Sequence, residues 1–140
     1  MPDWDHIKYA GIKTLIVQYI NALNNRDFVS LSLLLTDDCA ISRGSEKHGK
    51  ENVIILFKEL FSREHLLKVK LELLDATAGV FSGNEAEVIL YMKIFQDDAA
   101  KEIFIESLRL IKSGNKWQIN RIFGLSYEPD FHSRYFESFL

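Results

Sequence analysis

Gln18-Tyr19-Ile20-Asn21-Ala22-Leu23-Asn24-Asn25-Arg26-Asp27-Phe28, followed by Leu35-Thr36-Asp37-Asp38-Cys39-Ala40-Ile41-Ser42, His48-Gly49-Lys50-Glu51 and Asn52-Val53-Ile54-Ile55-Leu56-Phe57-Lys58-Glu59-Leu60-Phe61, decides the fold. It reads as two helices, a strand and a third helix. From Asp5 to Leu23, the apolar residues Ile7, Ala10, Leu15, Ile16, Tyr19, Ile20 and Leu23 recur at three- and four-residue intervals, which marks one face of an amphipathic helix. Asn24-Asn25 breaks it, and Asp27 is placed to cap a short second helix through Leu31, Leu34 and Leu35, because its carboxylate can accept the free amide hydrogens of a first turn. Thr36-Asp37-Asp38 ends that helix, Cys39 to Ser42 is a short strand, and the segment from Gly44 to Gly49 is a turn. The third helix buries Val53, Ile54, Leu56, Phe57, Leu60 and Phe61 and fades at Ser62-Arg63.

Working outward, the apolar period changes after residue 65 from about 3.6 to about 2, the period of strands with alternate side chains on opposite faces. Leu67, Val69, Leu71 and Leu73 alternate with Lys68, Lys70 and Glu72. Ser82-Gly83-Asn84 and Ser113-Gly114-Asn115 are tight turns, and the runs Glu85 to Phe95, Glu102 to Lys112 and Trp117 to Leu125 are strands joined as antiparallel neighbours. Helices first and a meander of long strands second is an α+β arrangement, with helices covering one face of a curved sheet. Residues 1–126 read as one domain and 127–140 as an aromatic tail, in which Phe131, Tyr135, Phe136 and Phe139 share one helical face and Pro129 is placed to start a short docking helix.

A chain of 140 residues with 47% hydrophobic residues can bury a core without disulfides or metals. Its net charge of −3 argues against nucleic acid as a partner, which needs a concentrated positive surface, and equally against a membrane surface. The first residues carry charge and no secretory apolar run, and no segment approaches the length of a membrane span, so a cytoplasmic protein is expected. The single cysteine, Cys39, reads as a small buried hydrophobe. His48 reads as helping to terminate the turn before the third helix, and His6, His65 and His132 are scattered without ligand spacing, so no metal is expected; no phosphate loop or Ser-His-Asp order is present, and no cofactor is expected.

The Asn25-Arg26-Asp27-Phe28 and Thr36-Asp37-Asp38 turns, His48-Gly49, and Gly114-Asn115-Lys116-Trp117-Gln118-Ile119 resemble the nuclear transport factor 2-like superfamily, specifically its SnoaL-like and ketosteroid isomerase-like branch, over Asp5 to Ser126. The resemblance implies a cystatin-like cone, three N-terminal helices packed on a strongly curved, mixed, mainly antiparallel sheet. That cone serves isomerases, dehydratases, cyclases and binding modules. Ketosteroid isomerases combine a carboxylate base with an oxyanion hole made from a tyrosine and a protonated carboxylic acid. On that pattern Tyr19 takes the place of the oxyanion tyrosine and Glu106, in Phe104-Ile105-Glu106-Ser107-Leu108, that of the protonated acid. The place of the base falls on Arg43, which stays protonated and cannot abstract a proton. Leu35 and Phe57 stand where some isomerases carry tyrosines that support the oxyanion tyrosine. The implied pocket is lined by Ile41, Arg43, Phe57, Phe61, Val88, Leu90, Met92 and Asn120.

The residues leave several alternatives. Without a cation, a carboxyl group at Glu106 among apolar neighbours has its pKa raised and becomes a donor or general acid; with Arg43 or Arg121 beside it, the pair is ionised and forms a clamp or a structural salt bridge. Asn120 projects into the cone in phase with Ile122, unless a one-residue bulge turns it outward. Asp37 and Asp38 read as structural carboxylates serving the backbone. The other sheet face carries Ile89, Tyr91, Ile103, Ile105 and Ile111 mixed with Glu87, Lys93, Ser107 and Arg109, an apolar content that fits a symmetric homodimer. The expected function is binding of a small apolar or carbonyl-bearing molecule, with cofactor-free isomerase, dehydratase or cyclase chemistry resting on Glu106 and Tyr19. The competing expectation is a non-catalytic carrier or protein-interaction module whose cone is filled by its own side chains.

Overall fold

A computed structural model describes residues 10–43, 45–62, 69–96 and 99–124. The elements run α1 (Ala10–Asn24), α2 (Phe28–Leu33), β1 (Leu35–Arg43), β2 (Ser45–His48), α3 (Lys50–Ser62), β3 (Val69–Ser82), β4 (Glu85–Gln96), β5 (Ala99–Ser113) and β6 (Lys116–Gly124). The strands form one six-stranded sheet in the order β2-β1-β6-β5-β4-β3. Only β1 and β6 pair in parallel; the other neighbours are antiparallel. The expected α+β architecture, helices against a mixed and mainly antiparallel sheet, is therefore present. The start of the first helix before Ala10, Leu67, His65 and the aromatic tail at 127–140 lie outside the described residues.

The apolar stripe of α1, with Ile12, Leu15, Ile16, Tyr19 and Leu23 all buried, faces the sheet. The helix seats closely on β6 because residue 11 is glycine: a Cβ there would stand 3.0 Å from Trp117 Cδ1. Asp27 caps α2 as its spacing predicts, its Oδ1 accepting from the Ser30 backbone N–H at 3.0 Å and its Oδ2 from the Ser30 hydroxyl at 2.6 Å. Those bonds hold the Asp27 carboxyl below its ordinary pKa, so the cap is intact at neutral pH and weakens as pH falls through the lowered value.

Three local expectations are corrected. The second helix stops at Leu33 rather than running through Leu35, and β1 begins at Leu35, ahead of the Thr36-Asp37-Asp38 turn signal. The reason is non-local. Ile119 N–H donates to the Leu34 carbonyl at 2.7 Å, Leu35 pairs with Ile119, and the register then slips before Ala40 meets Arg121, so Thr36, Asp37 and Asp38 sit in an irregularity of the strand. The segment expected as a turn before Gly49 contains β2, an edge strand pairing Ala40 with His48 and Ile41 with Lys47; its charged residues hide it from an apolar-period reading and suit an exposed edge. Gly49, at φ 91°, turns the chain out of β2 into α3. Finally, β3 runs on past the alternating stretch that ends at Leu73 as far as Ser82: a register shift between Leu73 and Asp75 breaks the alternation in sequence while the ladder resumes with Asp75 opposite Tyr91.

The core lies between helices and sheet. From β4 it takes Ala86, Val88, Leu90 and Met92, from β5 Phe104, Leu108 and Leu110, and from β6 Trp117, Ile119 and Ile122. Phe57 and Phe61 of α3 stack at a centroid distance of 6.4 Å and close the helical side.

Candidate functional site

Glu106 is in phase with Phe104 and Leu108 on the core face of β5, on a rung with Leu90 of β4 and Gly124 of β6. Leu90 brings only hydrocarbon to that rung, and Gly124 contributes no side chain beside the carboxyl. Tyr19 comes from α1, one turn beyond Ile16 and Leu15, and reaches the same point. Its hydroxyl donates to Glu106 Oε1 at 2.5 Å, and both residues have 0% exposure. The two residues the sequence singles out, 87 positions apart, are thus brought into direct contact inside the core.

Ile41, Phe57, Phe61, Val88, Leu90 and Met92 are all buried in the hydrophobic core. Leu35 and Phe57 supply no hydroxyl to Tyr19. Arg43 closes β1, and its side chain lies outside the described residues. Two expectations are settled by geometry. Arg121 does not serve Glu106: its Nη2 lies 3.2 Å from Glu46 Oε1 and its guanidinium 4.6 Å from the Phe123 ring centre, on the other face. Asn120 does not enter the cone. The β5–β6 register passes from Arg109–Arg121 to Leu110–Ile119, leaving Asn120 as the bulge residue; its amide donates to Thr36 Oγ1 at 3.1 Å and Asp38 Oδ1 at 3.2 Å. Asp38 therefore serves that side chain, and Asp37 faces Lys50 at 3.4 Å in an exposed pair; neither is recorded serving the backbone.

Sequence reasoning misses Arg26. At φ 54° it lies in the left-handed region, and its Nη1 donates to the Leu23 carbonyl at 2.6 Å while Nη2 donates to the Val69 carbonyl at 2.7 Å. Its guanidinium carbon stands 4.0 Å from the centre of the Phe61 ring. One side chain thus ties the end of α1 to the first residue of β3 and to a wall of the cone. The Asn24-Asn25-Arg26-Asp27 turn was the available signal, but a turn reading says nothing of where a long side chain goes.

No protein-family model and no curated protein matches the chain. Solved structures do. A protein with a cystatin-like fold from Caulobacter vibrioides superposes with a TM-score of 0.76 at 14% identity, covering 93% of this chain and 96% of that one. An NTF2-like protein of unknown function from Pseudomonas putida KT2440 gives 0.71 at 15% identity over 86% and 88%. The chain has the NTF2-like, cystatin-like fold. A Novosphingobium aromaticivorans protein provisionally assigned as a scytalone dehydratase shares this fold at a TM-score of 0.66 and 13% identity, over 84% and 82% of the two chains.

Within this NTF2-like fold no helix among the described residues is long and apolar enough to cross a membrane. Among the described residues no group of three or more His, Cys, Asp or Glu side chains could hold a metal ion. Cys39 is buried, and its thiol is pushed up from 9.0 to about 12, first by burial and then by the Asp38 charge, against a smaller opposing effect of Lys50. The folded protein is therefore expected to resist iodoacetamide at pH 8 and to be alkylated in urea; rapid alkylation of the native protein would contradict this placement. Because the unfolded thiol titrates near 9 and the folded one near 12, the stability held below pH 9 is lost as pH rises toward 12.

Proposed function

We propose that the cone binds one small, largely apolar molecule carrying a carbonyl or hydroxyl oxygen, and that Tyr19 and Glu106 are the polar end of its site. The observation that carries this reading is the Tyr19–Glu106 bond, set among Leu90, Phe104 and Leu108. A polar pair in such surroundings is costly for stability alone, since apolar residues of similar volume would pack there without desolvating a carboxyl group. A ligand oxygen that takes the Tyr19 hydroxyl from Glu106 gains a directed donor for any negative charge it develops, and frees the carboxyl to accept or return a proton. The chemistry within reach is then a cofactor-independent proton shift or elimination, of the isomerase or lyase kind. The Novosphingobium protein provisionally assigned as a dehydratase supports this class, because it has the same fold.

A second reading is favoured by a specific observation: with 0% exposure, Tyr19 and Glu106 are closed to water in this conformation, as in a carrier or interaction module with a filled cone. A screen separates the two. Wild-type protein is incubated with ketosteroids, epoxides and polyketide-like ketones, following melting temperature and turnover, with Glu106→Gln beside it. Stabilisation of wild type by a compound that Glu106→Gln does not turn over supports the proposal. Turnover undiminished in Glu106→Gln removes Glu106 from the mechanism, and a panel without effect on wild type favours the second reading.

A further inference from the structure

The outward face of α1 lines a cleft of about 410 Å³ that has no part in the cone. Gln18, Asn21 and Asn25 form one wall, buried Ala22 and Leu34 the floor, exposed Leu33 a rim, and Lys116, from the start of β6, stands at the edge. Asp27 and Ser30 also border it, but their side chains are bonded to each other in the α2 cap. Among the described residues the carboxamides of Gln18, Asn21 and Asn25 have no hydrogen-bond partner, and Lys116 has no ion-pair partner.

The same helix shows what such a carboxamide does when it meets an extended chain. Asn24 Nδ2 donates to the Leu71 carbonyl at 2.9 Å while its Oδ1 accepts the Leu71 N–H at 2.8 Å, a two-point clasp on one strand residue. Asn21 and Asn25 are one helical turn apart, about 6 Å along the axis. Same-side residues of an extended chain repeat every ~6.6 Å, so two such clasps fall in register with a strand laid along α1. A neighbouring cleft of about 370 Å³ beside Lys13, Thr14 and Val17 shares Gln18 and prolongs the path.

We propose that this cleft binds an extended peptide segment, its backbone clasped by the carboxamides of Asn21, Asn25 and Gln18, with an apolar side chain over Ala22 and Leu34 and a carboxylate at Lys116. The carboxamides supply paired donors and acceptors, which match peptide groups. The floor selects an apolar side chain; the lining carries one cation, Lys116, and one anion, Asp27, whose carboxylate is taken up by Ser30 in the α2 cap, so the ligand carboxylate is placed at Lys116. The site is independent of the cone.

The test is fluorescence polarisation of the full chain against labelled hexapeptides in which Leu-Glu, Val-Asp and Leu-Leu pairs are placed with free or amidated C-termini, and a Gly-Ser hexapeptide as control. Acidic or free-carboxylate peptides are expected to bind above the control, and Asn21→Ala/Asn25→Ala and Lys116→Glu each to weaken them by about tenfold or more, with Glu106→Gln binding as wild type does. Because these side chains are exposed, the variants should keep the wild-type melting temperature. Loss on amidation assigns the carboxylate to a chain end, and persistence assigns it to an acidic side chain; both agree with the proposal. No peptide bound above the control, or equal binding by the variants, overturns it.

Discussion

Glu106→Ala is expected to lower the unfolding free energy by about 3 kcal/mol, whereas Glu106→Gln should change it by about 1 kcal/mol or less. The difference follows from what each leaves behind. Alanine removes the acceptor to which the Tyr19 hydroxyl donates at 2.5 Å inside the core, and opens a void beside Leu90 and Leu108. Losing a buried hydrogen bond to a carboxyl group costs about 1–3 kcal/mol, and the lost packing adds to it. Glutamine keeps an acceptor of the same shape for Tyr19 but removes the capacity to take up or release a proton. Urea midpoints of the two variants, with unchanged m-values, measure the stability side, and the ligand screen measures the chemical side. A Glu106→Ala midpoint within error of wild type would show that the carboxyl does not sit inside the core.

Arg26→Ala is expected to be comparably damaging, for a different reason. It removes two bonds from a charged group to the Leu23 and Val69 carbonyls and a guanidinium packed 4.0 Å from the Phe61 ring centre. Such bonds contribute about 1.5–3 kcal/mol and the ring contact about 0.5–1, less the side-chain freedom regained, so a net loss of about 2–3 kcal/mol is expected. Arg26→Gly relieves the φ of 54° yet removes the same contacts, and should recover only part of that loss. Arg26→Lys keeps the charge without the planar fork and should also fall short of wild type. Thermal melts of the three separate the contributions. An Arg26→Ala melt equal to wild type would show that the turn holds without its side chain.

Much of this was readable in the residues themselves, and what was not has identifiable physical causes. The resemblance to the ketosteroid isomerase-like branch singles out Tyr19 and Glu106, and local periodicity then puts each in phase with an apolar stripe. The antiparallel run from β4 to β6 was equally open, since Ser82-Gly83-Asn84 and Ser113-Gly114-Asn115 are local turn signals. The end of α2 was not, because Leu35 joins the sheet through Ile119, a partner 84 positions away, counting 119 − 35. Asn120 obeyed its bulge rather than the alternation of its strand. Arg26 carries no periodic mark, and Gln18, Asn21 and Asn25 look like an ordinary solvated helix face until α2 and Lys116 are folded beside them.

The central claim is that Tyr19 and Glu106 recognise a ligand rather than merely fill the core. Its most direct test is the affinity of one stabilising ketone from the screen, measured by isothermal titration with wild type, Tyr19→Phe and Glu106→Gln. Loss of about 1.5 kcal/mol or more of binding free energy in Tyr19→Phe, roughly tenfold in affinity, is the predicted result, with Glu106→Gln also weakened. Equal affinity in all three proteins would contradict the account and leave the pair as a structural bond.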